Sequence, residues 1–91
     1  MKPHYVPYQV RILPAAARAL AALPVNVRRR IDSRIRSLAE NPRPHDVKKL
    51  KGTDGLLFRI RVGDYRVLYQ IDDAARVVTV VKVGHRKDVY D

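Results

Sequence analysis

Phe58-Arg59-Ile60-Arg61-Val62-Gly63-Asp64-Tyr65-Arg66-Val67-Leu68-Tyr69 is the stretch that settles the architecture. Two runs rich in Val, Ile, Tyr and Phe, each alternating along its length, flank a Gly-Asp pair. That is the signature of an antiparallel hairpin closed by a two-residue turn, with glycine first as a type II′ turn requires. The turn fixes the pairing: Val62 with Tyr65, Arg61 with Arg66, Ile60 with Val67, Arg59 with Leu68. Side chains alternate between faces, so Phe58, Ile60, Val62, Tyr65, Val67, Tyr69 and Ile71 share one face, and Arg59, Arg61, Arg66, Leu68 and Gln70 the other. The first set is a core face. The second sets Arg61 opposite Arg66, with Arg59 two residues away. Like charges facing each other across strands are destabilising. Selection for stability alone would place Glu or Thr at one of these positions. Three guanidiniums together imply an anion that neutralises them, and the planar fork of Arg matches phosphate bidentately.

A third strand pattern runs from Arg76 to Val83. A three-residue connection, Asp73 to Ala75, puts Val77, Thr79, Val81 and Val83 in the core and Lys82 on the arginine face near Arg66. A connection of two or four residues would bury Lys82, which is costly. Beyond the strand, Gly84-His85-Arg86-Lys87 turns the chain, and Tyr90 follows. Ahead of the sheet lies a basic loop, Lys48-Lys49-Leu50-Lys51-Gly52. Lys48, Lys49, Lys51, Lys82 and Lys87 thus surround the patch as candidate RNA-binding residues.

The first half of the chain has a different period. Tyr8 to Ile12 alternates as a short strand. Pro14 suits the first position of a helix, Ala15 to Leu23 is strongly helix-forming, and Pro24 ends it. A second helix over Val25 to Glu40 carries Val27, Ile31, Ile35 and Leu38 on one stripe and Arg28, Arg29, Arg30, Arg34 and Arg36 opposite. Asn41-Pro42-Arg43-Pro44 stops it. The fold class is α+β: an N-terminal strand, an antiparallel helical hairpin, and a three-stranded antiparallel meander forming a twisted sheet with the helices on one face. Residues 1–91 read as one domain.

The chain has 91 residues, and 19 Lys+Arg against 9 Asp+Glu give a net charge of +10. Such a field favours polyanions. With no cysteine, disulfides, thiolate catalysis and Cys-based zinc sites are excluded. Val77 to Val81 falls far short of the ~18–20 apolar residues that span a bilayer. A cytoplasmic protein without a membrane partner is expected.

His4, His45 and His85 are scattered and Asp64, Asp72 and Asp73 lie in turns, so neither a metal site nor a carboxylate pair is expected, and no cofactor is called for. RNA cleavage needs none, because the 2′-OH can attack the adjacent phosphate. That step needs a base, a stabiliser of the pentacoordinate phosphate and an acid for the leaving 5′-oxygen. His85 is a candidate base or acid, the arginine trio a candidate stabiliser, and Tyr90 a candidate for base stacking or proton relay.

Leu50-Lys51-Gly52, the hairpin stretch above, and Val83-Gly84-His85-Arg86-Lys87-Asp88-Val89-Tyr90, at this separation, resemble the RelE branch of the RelE/ParE toxin superfamily. The resemblance covers nearly the whole chain. It implies the toxin of a type II toxin–antitoxin pair, a metal-independent endoribonuclease that enters the 30S A site of the ribosome and cuts mRNA there, leaving a cyclic phosphate. It implies an acidic, RelB-like antitoxin as partner, and operator DNA bound only through the antitoxin complex. The family's basic strand residues fall on Arg59 and Arg61, its transition-state arginine on Arg66, its C-terminal pair on Arg86 and Tyr90, and a basic residue before the sheet on Lys51. The best-studied member has lysines at the positions of Arg59 and Arg61, one thought to act as base. Arginine holds its proton too tightly for that role, which strengthens His85 as the candidate. The alternatives are a ParE-like inhibitor of DNA gyrase and a non-catalytic RNA- or ribosome-binding module.

Overall fold

A computed structural model describes residues 6–52, 54 and 56–89. Its elements, in order, are β1 (Gln9–Ile12), α1 (Pro14–Ala21), α2 (Val25–Ser37), β2 (Lys48–Lys49), β3 (Phe58–Val62), β4 (Tyr65–Asp72) and β5 (Val77–His85). The five strands form one sheet in the order β1-β5-β4-β3-β2, with β1 parallel to β5 and the other pairs antiparallel.

The hairpin forms as its turn chemistry requires. Gly63 has φ +58° and Asp64 is not among the residues with positive φ, which selects type II′ over type I′. Every pairing read from the sequence is present: Val62 with Tyr65, Arg61 with Arg66, Ile60 with Val67 and Arg59 with Leu68. The inner face packs on the helices. Ile60, Val62, Val67 and Tyr69 join Val78, Val80 and Val83 beneath Ala16 and Leu20 of α1 and Ile31 and Ile35 of α2, with Leu38 just beyond. Neither helix has a side-chain cap, so propensity and this apolar burial hold them.

The third strand corrects the expected phase. The connection spans four residues, 73–76, because Asp72 pairs with Val77 and Arg76 takes φ +55°. Val78 and Val80 therefore enter the core, while Val77, Thr79 and Val81 do not. A bulge then restores the other phase: Tyr69 pairs with Val80 but Leu68 with Lys82, leaving Val81 as the extra residue. Lys82 reaches the arginine face as expected, but through the bulge rather than through a shorter loop. The bulge keeps a lysine out of the core while a four-residue turn is accommodated.

Three smaller differences follow from local geometry. Lys48 and Lys49, expected in a loop, pair with Arg59 and Phe58 as an edge strand. Helix α2 ends at Ser37 rather than Glu40, because Leu38, Ala39 and Glu40 donate their N–H groups to residues three back, a tighter turn before Asn41-Pro42. Helix α1 closes at Ala21, two residues early. At the foot of the sheet, Tyr69 Oη donates to the Pro42 carbonyl at 2.8 Å. Arg43 donates to both oxygens of Asp73, and Tyr8 Oη also donates to Asp73. This network ties the N-terminal strand to the β4–β5 loop.

Candidate RNA-cleaving face

The outer face of the sheet is built in rows, since directly paired residues project to the same side. One row runs Arg61, Arg66, Gly84 across β3, β4 and β5. The next runs Lys48, Arg59, Leu68, Lys82 across β2 to β5. Arg61 and Lys82 are exposed and Arg66 is half-buried, its Nη1 donating to its neighbour Tyr65's carbonyl at 3.3 Å. Arg86 joins them from the turn after β5. Its backbone N–H donates to the Asp64 carbonyl at 2.7 Å, which fixes the turn beside the hairpin. Its side chain lies 3.9 Å from Asp64, with both groups more than half exposed. Such a pair is worth little and exchanges readily for a stronger anion.

The expected trio does not reach solvent intact. Arg59 is on the predicted face but only 5 % exposed. The reason is a second, small apolar cluster on that face. Leu50, Leu68 and Val89 are buried together, with Leu57 and Val81 against them, so the C-terminal segment folds back over the row that contains Arg59. Gly84 makes this possible. A Cβ there would lie 2.8 Å from Val89 Cγ2. The accessible cationic set is therefore Arg61, Arg66, Arg86 and Lys82, with Arg59 beneath its edge.

His85 occupies the other side. It pairs with Tyr65, and the two rings meet edge to face at 5.4 Å. Tyr65 packs against the helix-side core, so alternation sets His85 with Val83 and Tyr65, facing away from Arg66. Its Nδ1 accepts the Lys87 N–H at 3.2 Å, so the neutral ring carries its hydrogen on Nε2. Tyr90 lies outside the described residues. Lys51 and Lys87 are exposed on turns, and Lys48 and Lys49 are exposed on the edge strand. Among the described residues no group of three or more His, Cys, Asp or Glu is placed to hold a metal ion, and no helix is long and apolar enough to cross a membrane.

Two cations from the arginine side of α2, to which the residue pattern assigns no site role, shape this end of the sheet. Arg34 donates to both oxygens of Asp46 at 2.8 and 2.9 Å and to the Arg61 carbonyl at 3.3 Å. It caps the open edge of β3 and holds Asp46 below the usual carboxylate range. Arg30, one turn earlier, brings its guanidinium to within 3.4 Å of where a Cβ would sit on Gly63. The arginine side of α2 is thus not wholly solvated. The spacing of Arg30 and Arg34 was the available signal, since residues four apart share a helix face.

Known proteins are similar to this chain in sequence and in fold. The family model for the ParE toxin of the type II toxin–antitoxin system parDE matches residues 10–90. Toxin RelG of Mycobacterium tuberculosis is 34 % identical over 90 residues, 93 % of this chain and 98 % of that protein. The toxin–antitoxin complex RelBE2 of M. tuberculosis contains a chain that superposes with TM-score 0.78 at 34 % identity, covering 89 % of this chain and all of that one. The archaeal RelE–RelB complex of Pyrococcus horikoshii gives TM-score 0.77 at 36 % identity, covering 90 % and 98 %. With matches that span most of both partners and carry the hairpin and the terminal turn, this chain belongs to the RelE/ParE superfamily as a RelE-like toxin of type II toxin–antitoxin systems.

Proposed function

We propose that this toxin arrests translation by cutting mRNA in the ribosomal A site, through attack of the RNA's own 2′-OH on the adjacent phosphate. The observation that carries the reading is the row formed by exposed Arg61 and half-buried Arg66, set opposite each other with no side chain at Gly84 beside them. Two guanidinium forks side by side match the oxygens of one phosphate. Arg61 and Arg66 hold the scissile phosphate, Arg86 approaches from the adjoining turn, and Lys82 and the edge lysines Lys48 and Lys49 draw in the flanking backbone. Their fixed positive charge stabilises the pentacoordinate transition state, the role that a metal ion plays in other nucleases. Arg59 supports the row from beneath.

Proton transfer falls to His85 in this reading, reached around the end of the sheet once its ring releases the Lys87 N–H, and Tyr90 is a stacking platform. Arginines cannot supply the base. Neutralisation falls to an acidic, RelB-like antitoxin. The M. tuberculosis and P. horikoshii relatives were solved as complexes with their antitoxins, and a +10 chain steers such a partner to its surface. Operator DNA is reached through that complex.

The test is a comparison of targets. Purified toxin added to a translating system containing EDTA-washed protein and a defined message is expected to yield discrete cuts ending in a cyclic phosphate, with gyrase supercoiling unaffected. Intact message with inhibited supercoiling would move the chain to the gyrase-poisoning branch. RNA binding without cut products would reduce it to a binding module.

A further inference from the structure

The outer face continues past the arginine row, and its lower half has no part in the reading above. Between the two halves lies Leu68, capped by Val89. Below it, Arg11, Thr79 and Gln70 form a row across β1, β5 and β4, because Thr79 pairs with both of the others. Their neighbours Val78, Val80 and Tyr69 are buried in the core, so all three side chains point outward. They line a groove of about 490 Å³, walled on one side by Leu56, which is 61 % exposed. None of the three has an intramolecular side-chain hydrogen bond among the described residues. A guanidinium, a hydroxyl and an amide are therefore aligned and unengaged in a groove of ligand size.

The acidic residues nearby define what the groove accepts. Asp73 is engaged by Arg43 and Tyr8, and Asp72 Oδ1 accepts the Ala75 N–H at 3.0 Å. The Asp72 carboxyl group lies at that end of the groove. Arg11 offers one phosphate contact at the other. Gln70 and Thr79 between them can read the donor and acceptor edge of a neutral planar group, with Leu56 as an apolar wall.

We propose that this groove is a nucleobase subsite for single-stranded RNA, holding a nucleotide that flanks the cleaved one. The proposal rests on the outer face being the RNA-cleaving face. Gln70 lies four residues from Arg66 on the same strand, about 13 Å at ~3.3 Å per residue, so the subsite is separate from the scissile phosphate. It makes Gln70 and Thr79 specificity-determining residues rather than catalytic ones.

The experiment is an amide-resolved NMR titration of the folded toxin with a 2′-O-methyl RNA heptamer, which binds but cannot be cut, and with the corresponding trimer. The heptamer is expected to shift the Gln70 side-chain amide and the Thr79 and Arg11 backbone signals together with Gly84 and Arg66. The double variant Gln70→Ala/Thr79→Val is expected to bind the heptamer about tenfold more weakly, the effect of losing one base-edge contact, and the trimer unchanged. Both residues lie on the outer face, and the variant's spectrum reports its folding directly. Shifts confined to Gly84 and Arg66, with the variant binding as the parent does, would overturn the subsite and leave the cleavage reading standing. Shifts at Gln70 and Thr79 alone would overturn the link between the groove and the Arg61–Arg66 row. No shift on either half of the face would overturn the subsite, while the cleavage reading stands or falls by the translating-system assay.

Discussion

Gly84→Ala tests how the C-terminal segment is held over the outer face. Gly84 is a strand residue without positive φ, so backbone strain does not enter. Alanine in a strand is in fact favoured over glycine by about 0.5–1 kcal/mol through the unfolded chain. Against this stands one contact: the new Cβ would lie 2.8 Å from Val89 Cγ2, and Val89 is packed into Leu50 and Leu68 with 3 % exposure. Overpacking of this kind costs about 1–3 kcal/mol. Val89→Ala removes the obstructing methyl, at its own cost of about 1.5 kcal/mol for two lost carbons. The sign of the Gly84→Ala effect therefore depends on residue 89. It is destabilising in the parent, and neutral to stabilising by up to about 1 kcal/mol in the Val89→Ala background. The coupling energy of the cycle is the overpacking term itself, about 1–3 kcal/mol. Urea unfolding of all four proteins, read as midpoints at constant m, measures it. An equal Gly84→Ala effect in both backgrounds would show that Val89 does not sit over the sheet as described.

Other consequences concern single groups. Arg61→Thr relieves the like-charge pair with Arg66, so the thermal midpoint rises by the equivalent of about 0.2–1 kcal/mol while cleavage is lost; a lowered midpoint would contradict the unfavourable pairing. Tyr69→Phe strands the Pro42 carbonyl bonded at 2.8 Å and costs about 1–3 kcal/mol in chemical unfolding, whereas a neutral result would mean that water replaces the hydroxyl. Asp73 is held down at about 2 by hydrogen bonds from Arg43 and then Tyr8, and Asp46 is lowered by Arg34. Depressed carboxylates stabilise the fold above their unfolded values near ~4, and that contribution fades as pH falls through the folded values. The unfolding midpoint should thus drop between about pH 4 and pH 2, and the drop should flatten in Asp46→Asn/Asp73→Asn; an unchanged slope would remove these pairs from the acid limb. His85→Ala is expected to lose cleavage and keep ribosome binding in a pelleting assay, and equal cutting by the variant would take proton transfer away from His85.

The hairpin was legible because its information is local. Gly63-Asp64 sets the register, and register sets the face of every residue from Phe58 to Ile71. The helices were legible from Pro14, Pro24 and the Ile31/Ile35/Leu38 stripe. What escaped depends on contacts between distant segments. The bulge at Val81 answers a conflict between a four-residue turn and the placement of Lys82, and nothing within β5 marks it. The burial of Arg59 requires Val89, thirty residues later, to meet Leu50 and Leu68. The placement of His85 follows from the same bulge, which returns Val83 and His85 to the helix side. The role of Arg34 on the polar side of α2 is not legible locally, because its partners, Asp46 and the Arg61 carbonyl, lie on other elements. Residue types thus marked the cationic face, while the choice of which guanidiniums reach solvent was made by tertiary packing.

The central claim is that the Arg61–Arg66 row performs electrostatic work on a phosphate. Primer extension on a translated message, comparing the parent toxin with a folded Arg66→Ala variant, measures it most directly. The account predicts discrete cuts with the parent and a loss of about 10²–10³ in rate with the variant, the cost of removing one transition-state donor. Equal cutting by both proteins would contradict it.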